Sequence, residues 1–407
     1  MEQLPYVLIG GGLAATAAID AIRRRDRTSR MMLISAEAHL PYDRVPLSKD
    51  YLLGNMEREH VFLRPSRFYE RHKVELTLGT AATALELTTR QVTLADGSQV
   101  GFEKLLLATG GRPRLLPLPG AELSGIFYLR TLDDSDAIQR AMQSARRAVV
   151  IGGGFIGCEI ATGFAQRGLE TTVVEVTAAP LSLVLDTETS AFIESYLRQQ
   201  GITVLTNTAA ARFIGDQGQV RAVVTNTEVE LPADLVAVGV GIALNTELAA
   251  NAGLQVENGV VVNEYLEAAA GVYAAGDIAR FYSLPFGRHL RVEHYDVALQ
   301  HGRTAGANMA GAQQAYTELP YFFSHMGGLH IDVVGDMSRR EHSVRRGALE
   351  LDPGFTQFYF ADGLLQAALC INGDATLLQA ARERILQRQP VAHPEAFADP
   401  RRDLASL

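Results

Sequence analysis

The stretch AVVIGGGFIGCEIA (residues 148–161) combines an apolar strand, a glycine turn and the start of a helix. Gly152, Gly154 and Gly157 stand in G-x-G-x-x-G spacing, which allows a tight turn, a close approach to a pyrophosphate and close packing of the helix on its strand. The N–H groups at the start of such a helix bind phosphate. The next apolar segment, TTVVEV, places Glu175 where a carboxylate accepts hydrogen bonds from a ribose. The stretch therefore predicts a dinucleotide-binding Rossmann unit.

The same pattern occurs near the start of the chain, as YVLIGGGLAATAAI (residues 6–19). Gly10 and Gly12 take the first two glycine positions, and Ala15 replaces the third glycine, a variant that the fingerprint tolerates. Two fingerprints in one chain predict two bound nucleotides and a transfer between them.

The ribose ligand of the first fingerprint has two candidate positions. A helix is predicted to run to about Arg25, and the second strand covers residues 30–35. Ala36 follows that strand directly, and Glu37 comes one residue later. Because a ribose needs a carboxylate at this point, we take Glu37 as its ligand. The alternative is that Glu37 is an acid of a solvent-exposed loop.

Two further apolar strands end in small polar motifs. KLLLATGG ends in Thr109-Gly110, and GVYAAGDIAR contains Gly276-Asp277, whose acid can hold a ribityl hydroxyl or a group beside the pyrophosphate of a flavin. These motifs flank the second fingerprint, so the first nucleotide domain is predicted to be split around the second. The predicted domains are an FAD-binding domain in two parts (1–112 and 239–316), an NAD-binding domain (113–238) and a C-terminal α+β domain (317–407).

Composition excludes several classes of function. The chain has 407 residues, of which 47% are hydrophobic and 20% charged, as in globular enzymes with more than one domain. Its net charge of −9 offers no basic field for nucleic acid or an anionic membrane. No apolar run approaches the roughly 20 residues of a membrane span. Only Cys158 and Cys370 occur, in no paired spacing, which favours a reducing, cytoplasmic compartment and predicts no metal site.

The motifs, taken in order, resemble the FAD- and NAD(P)-linked reductases of the glutathione-reductase fold. LPYDRVPLSKDYL (40–52) is similar to the ferredoxin-reductase branch, as are YLRTLDD (128–134) and VEHYDVALQHGRTAGANMAG (292–311). That branch includes putidaredoxin reductase and the reductases of aromatic-ring dioxygenases, with rubredoxin reductases, monodehydroascorbate reductase and apoptosis-inducing factor. Disulfide reductases of this fold carry two redox-active cysteines where this chain has Ser48-Lys49. The resemblance therefore implies an external electron acceptor instead of a thiol relay.

The resemblance also implies a set of cofactor contacts. It places Lys49 near the reactive edge of FAD and Glu159 beside the nicotinamide of NADH, where the pair would orient the ring and stabilise negative charge. The alternative is an exposed lysine and a helix-terminal acid favoured by the helix dipole. The FAD contacts, motif residues included, are Gly10, Gly12, Leu13, Ala14, Glu37, Arg44, Lys49, Ala82, Thr109, Gly110, Arg130, Gly276, Asp277, Glu293, Tyr295 and Phe323. The NADH contacts are Gly152, Gly154, Phe155, Ile156, Gly157, Glu159, Glu175 and Gly241.

The C-terminal region is predicted to form antiparallel strands and an amphipathic helix, a small α+β cap. LPYFFSHMGG (319–328) is expected to lie against the flavin, with ordinary core packing as the alternative. Dioxygenase-linked relatives have a Trp-rich stretch ending in Ser-Asp here, whereas this chain has no Trp and carries His325 after Ser324. This departure leaves the identity of the acceptor open.

Two segments carry several arginines in an otherwise acidic chain. They are RPSRFYERHK (64–73) and RREHSVRR (339–346). A basic rim would attract an acidic ferredoxin, so we expect both segments to border the docking surface. The alternative is that they are ordinary solvated arginines.

The expected function is that of an NADH-dependent, FAD-containing ferredoxin reductase, which feeds a ferredoxin of an oxygenase or P450 system. Reduction of rubredoxin or monodehydroascorbate is an alternative within the fold. An NADH-sensing flavoprotein similar to apoptosis-inducing factor is an alternative of a different class. The expected fold is α/β, with two Rossmann-like nucleotide-binding domains and the small C-terminal domain.

Overall fold

The computed structural model describes residues 3–404, which divide into two compact units. The first unit comprises the chain up to Asp43, Arg58–Arg112 and Ala243–Tyr321. The second unit comprises Arg44–Glu57, Pro113–Ile242 and the chain from Phe322 onward. Each unit is thus assembled from separated segments, and the four-part domain division given above stays a prediction.

Runs of several strands separate the helices along most of the described chain. The strands are β1 (Gln3–Ile9), β2 (Met31–Ser35), β3 (Val74–Leu78), β4 (Ala82–Glu86), β5 (Gln91–Leu94), β6 (Gln99–Leu107), β7 (Gly111–Pro113), β8 (Ile126–Tyr128), β9 (Arg147–Ile151), β10 (Glu170–Val174), β11 (Thr203–Leu205), β12 (Ala210–Asp216), β13 (Gln219–Thr225), β14 (Glu230–Pro232), β15 (Leu235–Val238), β16 (Ile242–Leu244), β17 (Val260–Val262), β18 (Glu267–Ala269), β19 (Val272–Ala274), β20 (Ala279–Ser283), β21 (Arg288–Arg291), β22 (Tyr321–Met326), β23 (Leu329–Gly335), β24 (His342–Arg346), β25 (Phe355–Ala361) and β26 (Leu364–Ile371). The α-helices are α1 (Leu13–Arg25), α2 (Ser66–Arg71), α3 (Leu132–Met142), α4 (Phe155–Gln166), α5 (Thr187–Gln199), α6 (Glu247–Asn251), α7 (Tyr295–Met309) and α8 (Thr376–Gln387). Short 3-10 segments cover Val45–Ser48, Arg58–Val61, Gly276–Ile278 and Pro394–Ala398.

The first unit is built on an eight-stranded sheet with the strand order β18-β19-β6-β1-β2-β3, to which β5 and β4 are added beside β6. Strands β19, β6, β1, β2 and β3 run parallel, and their apolar sequences are buried, as expected for a sheet covered on both faces. Ile9 lies level with Leu107, and Leu107 with Ala274. The segments that follow these three residues therefore meet at one edge of the sheet.

Helices α1 and α7 pack closely in the first unit. A Cβ atom on Gly302 would lie 2.1 Å from the carbonyl oxygen of Ala14, and one on Gly306 would lie 2.5 Å from that of Ala18. Only glycine allows backbones to approach this closely. The glycines of α7 therefore fix the position of the helix that begins at the first fingerprint.

The second unit contains a parallel sheet of order β11-β10-β9-β15-β8 and an antiparallel sheet of order β22-β23-β26-β25-β24. Val150 of the parallel sheet, Phe164 of α4 and Leu369 of the antiparallel sheet belong to one hydrophobic core. The hydroxyl of Tyr196 on α5 donates to the carbonyl of Met326 at 2.8 Å. These contacts fix the C-terminal strands against the dinucleotide helix within this unit.

The structure confirms the mixed α/β class and the antiparallel C-terminal sheet. One strand is shorter than the sequence suggests. The apolar pattern of SVRRGALEL predicts a strand to residue 351, but β24 ends at Arg346. Gly347 has a φ of +96°, so the chain turns there. No helix within residues 3–404 has the length and apolar character needed to cross a membrane.

Candidate cofactor and redox sites

The first fingerprint forms an open turn between β1 and α1. Gly10 has a φ of +122°, and a Cβ atom there would lie 2.1 Å from the carbonyl oxygen of Ala108. Gly12 caps α1 without a side-chain hydrogen bond, and a Cβ atom on it would meet nothing within 4 Å. The first N–H groups of the helix, at Leu13 and Ala14, therefore face a space that no side chain caps. This geometry fits the pyrophosphate of FAD.

The two candidate ribose positions differ in their surroundings. Ala36 is exposed, whereas Glu37 is half-buried and accepts a hydrogen bond from the hydroxyl of Tyr42. The backbone N–H of Glu37 also donates to the hydroxyl of Ser35, at 3.3 Å. These bonds hold the carboxylate in place at the end of β2. The role of Glu37 as the ribose ligand stays a prediction.

The Ala-Thr-Gly and Gly-Asp motifs lie at the same edge of the sheet as Gly10. The Thr109 hydroxyl donates to the carbonyl of Asn245 at 2.6 Å, and the Asn245 amide donates back to the carbonyl of Thr109 at 2.9 Å. The N–H of Asn245 donates to the carbonyl of Gly110. A Cβ atom on Gly276 would lie 3.4 Å from that of Ala14. Sequence reasoning missed Asn245, because nothing local to it indicates a partner so far away in the chain.

The other residues predicted to bind FAD are divided between the two units. The first unit holds Ala82 at the start of β4, Asp277 in the 3-10 turn after β19, Glu293 and Tyr295. Glu293 forms an ion pair with Arg291 at 2.6 Å, and Tyr295 begins α7. The second unit holds Arg44, Lys49, Arg130 and Phe323. The cofactor contacts of all these residues remain predictions.

The second fingerprint forms a matching turn between β9 and α4. A Cβ atom on Gly157 would lie 1.9 Å from the carbonyl oxygen of Gly152, so the helix start can contact its strand only with glycine there. Gly154 caps α4 without a side-chain hydrogen bond, and a Cβ atom on it would meet nothing within 4 Å. The helix N-terminus is therefore open to a phosphate, as at Gly12.

The carboxylate of Glu175 lies against the second glycine turn. One oxygen accepts the N–H of Gly153 at 2.5 Å, and the other accepts the N–H and the hydroxyl of Thr177, both at 2.7 Å. The residue is buried at the end of β10. These three donors hold the carboxylate beside the fingerprint, where the sequence predicts the adenosine ribose.

Two residues in the first turn of α4 differ in their environment. Phe155 packs against Phe322, with ring centroids 4.4 Å apart. Ile156 is 46% exposed, which is high for an isoleucine at a helix start. Gly241, which follows β15, has a φ of +93° and open space around its Cβ position. Ile156 and Gly241 are thus accessible to a ligand, whereas Phe155 also has a packing role.

Lys49 and Glu159 form a buried polar cluster in the second unit. The Nζ atom of Lys49 lies 2.8 Å from Oε1 of Glu159. The Ser48 hydroxyl donates to Oε2 at 2.5 Å, and the Ser324 hydroxyl donates to Oε1 at 2.6 Å. The alternative of an exposed lysine and an isolated helix-terminal acid is therefore wrong. No local sequence pattern indicates that either serine contacts Glu159, because both lie far from it along the chain.

The aromatic segment forms β22, which presents Ser324 to this cluster. His325 is the next residue, and its ring lies 4.4 Å from that of His330 on β23. Burial, followed by the neighbouring His330 and Lys49, lowers the pKa of His325 below the usual 6.5. An imidazole with a lowered pKa thus lies near the cluster, at the position where the resemblance implies an acid in dioxygenase-linked reductases.

Both thiols are free and buried. Burial, followed by the charges of Glu159 and Glu175, raises the pKa of Cys158 well above its usual range. Burial also raises the pKa of Cys370. Within residues 3–404 no three or more His, Cys, Asp or Glu side chains are grouped so that they could hold a metal ion. A thiolate at neutral pH is therefore absent from the described part of the chain.

The two basic segments differ in the contacts that their arginines make. In the first, Arg64 pairs with Asp20 at 2.9 Å and borders a cavity between α1 and α7. In the second, the four arginines bind groups within the second unit. Their partners are Asp362 for Arg339, backbone carbonyls of residues 184 and 185 for Arg340, Glu188 for Arg345, and the carbonyl of Phe397 for Arg346. Two of these four charges are therefore paired with carboxylates inside the unit, and the role of residues 339–346 in docking stays a prediction.

Comparison with known proteins places these features in context. Residues 4–302 match the family model for pyridine nucleotide-disulphide oxidoreductase, and residues 321–407 match the reductase C-terminal domain. The ferredoxin–NAD(+) reductase component of the anthranilate 1,2-dioxygenase system of Burkholderia cepacia is 34% identical, over 98% of this chain and 98% of its own. The crystal structure of the ferredoxin reductase for the CYP199A2 system from Rhodopseudomonas palustris has a TM-score of 0.93 at 33% identity and covers 99% of both chains. The reductase in the covalent putidaredoxin reductase–putidaredoxin complex has a TM-score of 0.94 at 33% identity, over 98% of this chain and 97% of the matched chain.

Proposed function

Because the chain belongs to the pyridine nucleotide-disulphide oxidoreductase family, and within it to the ferredoxin–NAD(+) reductases, we propose that it passes electrons from NADH through FAD to a [2Fe–2S] ferredoxin of an oxygenase or P450 system. The observation that carries the proposal is the pair of open helix N-termini at Gly12 and Gly154. Each is followed, after the next strand, by a carboxylate held in place by hydrogen bonds, Glu37 and Glu175. Two such cradles in one chain serve two dinucleotides.

When bound, FAD accepts a hydride from NADH and releases electrons one at a time, which suits an iron–sulfur acceptor. The chain itself supplies binding and orientation. The first turns of α1 and α4 hold pyrophosphates through backbone N–H groups. The buried thiols at Cys158 and Cys370 take no part, so the electrons leave for a separate protein.

The cluster around Glu159 is assigned to orienting the nicotinamide. The carboxylate of Glu159 accepts hydrogen bonds from the hydroxyls of Ser48 and Ser324 and forms an ion pair with Lys49. These contacts fix the orientation of both carboxylate oxygens. A carboxylate fixed in this way can bind the carboxamide of a nicotinamide without losing entropy on binding. The positive charge of Lys49 compensates Glu159 and can also stabilise negative charge that develops nearby.

Glu175 supports a preference for NADH over NADPH. Its two oxygens already accept three hydrogen bonds, and a 2′-phosphate would bring further negative charge to the same place. The next residue is Val176, which is 68% exposed and carries no charge. A coenzyme phosphate at this site would therefore meet repulsion and find no cationic partner.

The partner is proposed to dock on the first unit. A cavity of about 530 Å³ lies along α1 and α7, and Arg24, Arg25, Arg64 and Arg303 are among its lining residues. Asp20, which pairs with Arg64, and Glu318 also line the cavity, so the lining keeps a net positive charge in a chain whose net charge is −9. Charge complementarity favours an acidic ferredoxin at this face.

The cytoplasm is the proposed location of the protein. Both cysteines are free and buried, and no pair of cysteines is placed for a disulfide in the described chain. Such cysteine usage is typical of a reducing compartment, in which NADH is also abundant.

The test measures reduction of several acceptors by the purified, FAD-loaded protein with NADH. We expect a [2Fe–2S] ferredoxin to be reduced at about 10 s⁻¹ or faster, and rubredoxin and monodehydroascorbate at least about tenfold more slowly. Rapid reduction of rubredoxin or monodehydroascorbate but not of ferredoxin would overturn the choice of acceptor. A reduced complex with NAD⁺ that persists for minutes, without turnover of any carrier, would instead indicate an NADH sensor.

A further inference from the structure

Hydrogen bonds from Arg340 connect the loop that follows Glu175 to the C-terminal sheet. The guanidinium of Arg340 donates to the carbonyl oxygen of Val184, and its second nitrogen donates to that of Leu185 at 3.3 Å. Arg340 precedes β24, which belongs to the C-terminal sheet of the same unit. A planar guanidinium donates to two neighbouring carbonyls from two separate nitrogens in a fixed geometry, which the single ammonium nitrogen of a lysine does not reproduce.

Neighbouring contacts fasten the segment that continues from this loop. The hydroxyl of Tyr359, a buried residue of β25, donates to Oδ2 of Asp186 at 2.8 Å. Asp186 in turn caps α5, since its Oδ1 accepts the N–H of Thr189 at 3.0 Å. Arg345 forms an ion pair with Glu188 at 2.5 Å. The C-terminal sheet thus holds residues 184–188 at three successive points.

The other end of the loop is joined directly to the second fingerprint. The N–H of Leu181 donates to the carbonyl of Gly153 at 2.9 Å. The hydroxyl of Ser182 donates to that of Thr177 at 2.8 Å, and Thr177 donates to the carboxylate of Glu175. Residues 177–185 therefore connect the proposed ribose ligand and the glycine turn to the C-terminal sheet.

The tip of the loop packs little of its own surface. Leu183 is 82% exposed and Val184 is 37% exposed, whereas Leu181 and Leu185 on either side of them are buried in the hydrophobic core. The exposed tip therefore depends on the buried leucines at its two ends and on the hydrogen bonds made there. Arg340 provides two of those bonds, and they are charge-assisted.

We propose that Arg340 is a positioning residue for NADH: it fixes the 177–185 loop and, through Thr177 and Leu181, the orientation of Glu175 and Gly153. This inference rests on the proposed function, in which the second fingerprint holds NADH. Without the contact, the loop samples more conformations, and coenzyme binding must order it again. The C-terminal sheet therefore contributes to coenzyme affinity without touching the coenzyme.

The principal test is Arg340→Ala in the FAD-loaded full chain, with Arg339→Ala as the matched control. Arg339 carries the same charge on the preceding residue but pairs with Asp362, away from the loop. We expect Arg340→Ala to raise the KM for NADH about 5- to 10-fold with ferricyanide as acceptor, and to change kcat less than about twofold. Calorimetry of NAD⁺ binding, which needs no turnover, is expected to show a similar weakening. Arg339→Ala is expected to leave both quantities unchanged.

Two further variants keep the test decisive. Arg340→Lys keeps the positive charge and N–H donors but loses the planar geometry with two nitrogens, and is expected to recover part of the affinity. Tyr359→Phe removes only the hydroxyl bound to Asp186 and is expected to weaken NAD⁺ binding about 2- to 3-fold, even where Arg340→Ala folds poorly.

The outcomes separate this inference from the proposed function. Native affinity for NAD⁺ in both Arg340→Ala and Tyr359→Phe, with only a lower melting temperature, would show a purely structural role and overturn the inference. A raised KM for ferredoxin with an unchanged KM for NADH would also overturn it, in favour of docking at residues 339–346. Failure of the native protein to bind NADH would overturn the proposed function itself.

Discussion

The Nζ atom of Lys49 lies 2.8 Å from Oε1 of Glu159, whose side chain is only 3% exposed. A carboxylate this deeply buried is stable only because the lysine and two serine hydroxyls replace the water that it loses. The four residues come from a 3-10 segment, a helix and a strand that are far apart in the chain. Their convergence is therefore a product of the tertiary fold, and the cluster is the part of the proposed mechanism most open to direct test.

Removing the charge of Glu159 should slow hydride transfer. In Glu159→Gln the amide nitrogen faces donors on Ser48, Ser324 and Lys49, so the side chain cannot keep its orientation and Lys49 loses its counter-charge. We expect anaerobic reduction of the flavin by NADH, followed by stopped-flow absorbance, to slow about 10- to 100-fold. Glu170→Gln, at the exposed start of β10, serves as the control and should react at the native rate. A native rate in Glu159→Gln would exclude the assigned role.

Coenzyme choice follows from the carboxylate at the end of β10. We expect kcat/KM for NADH to exceed that for NADPH at least about tenfold, which corresponds to about 1.4 kcal/mol. The double variant Glu175→Ala, Val176→Arg removes the repulsion and adds a cation, and is expected to reverse part of this preference. Val176→Arg alone is the matched control for the added charge. Equal use of both coenzymes by the native protein would contradict the argument.

Replacing both cysteines should leave hydride transfer nearly intact. Burial raises the pKa of Cys158 and of Cys370, so neither forms a thiolate at neutral pH. Cys158→Ala with Cys370→Ser is expected to reduce flavin within about twofold of the native rate, at a loss of about 1–3 kcal/mol in the free energy of unfolding. Stopped-flow reduction and thermal unfolding provide the two measurements. A hundredfold slower reduction with FAD still bound would require a thiol in the pathway.

Stability at acidic pH should depend on His301. This residue of α7 is fully buried between Phe281 and Tyr316, and burial lowers its pKa from 6.5 to about 3. Below pH 6.5 the unfolded chain binds a proton that the folded chain excludes, so stability is complete above pH 6.5 and falls toward pH 3. The expected slope is about 1.4 kcal/mol per pH unit from this residue.

The measurement is chemical unfolding between pH 7 and pH 5 of the native protein and of His301→Phe. In His301→Phe, the slope of the unfolding free energy against pH should fall by the amount that corresponds to about one proton. His60→Gln, at an exposed histidine, should keep the native slope. The same slope in His301→Phe and in the native protein would assign the acid sensitivity to other groups.

Ferredoxin turnover should fall as salt is added. The proposed docking surface contains the arginines that line the cavity along α1 and α7. Added salt screens their electrostatic attraction for an acidic partner and so slows association. Arg303→Glu is expected to raise the KM for ferredoxin about 5-fold or more and to leave the KM for NADH unchanged. Arg221→Glu, on an exposed position of β13, is the control for a change in net charge. Turnover that is insensitive to both salt and Arg303→Glu would move the docking surface elsewhere.

Much of the fold was predictable because the fingerprints are local. The strand, glycine turn and helix around Gly152 and Gly157 are specified within a dozen residues, and the helix from Leu13 to Arg25 begins and ends as its sequence predicts. Local patterns do not encode contacts across the chain. Neither the pairing of Thr109 with Asn245 nor the donation of Ser48 and Ser324 to Glu159 leaves a sequence signal.

The arginines of residues 339–346 show the same limit in charge analysis. A cluster of positive charge in sequence was expected to attract an acidic partner. In the structure each guanidinium has a different partner, and Arg346 is buried. β24 sends Arg345 and Arg346 to opposite faces of its sheet, so these two neighbours do not form one patch, whereas Arg339 and Arg340 precede the strand. Charge composition therefore predicts a surface only where the element that carries it is exposed on one side.

The packing of α7 on α1 through Gly302 and Gly306 has a consequence for biogenesis. During synthesis, the first fingerprint leaves the ribosome early, but β19 and α7, which complete its surroundings, emerge only after the whole parallel sheet from β8 to β15. Domains begin to fold as they emerge, so this parallel sheet can form first. The glycine turn around Gly10 therefore lacks its neighbouring elements, and the edge of β6 that pairs with β19 stays unpaired, until nearly three quarters of the polypeptide has been made. Flavin capture is thus a late event in the synthesis of each new chain, because the elements that complete the first nucleotide site are among the later ones to be made.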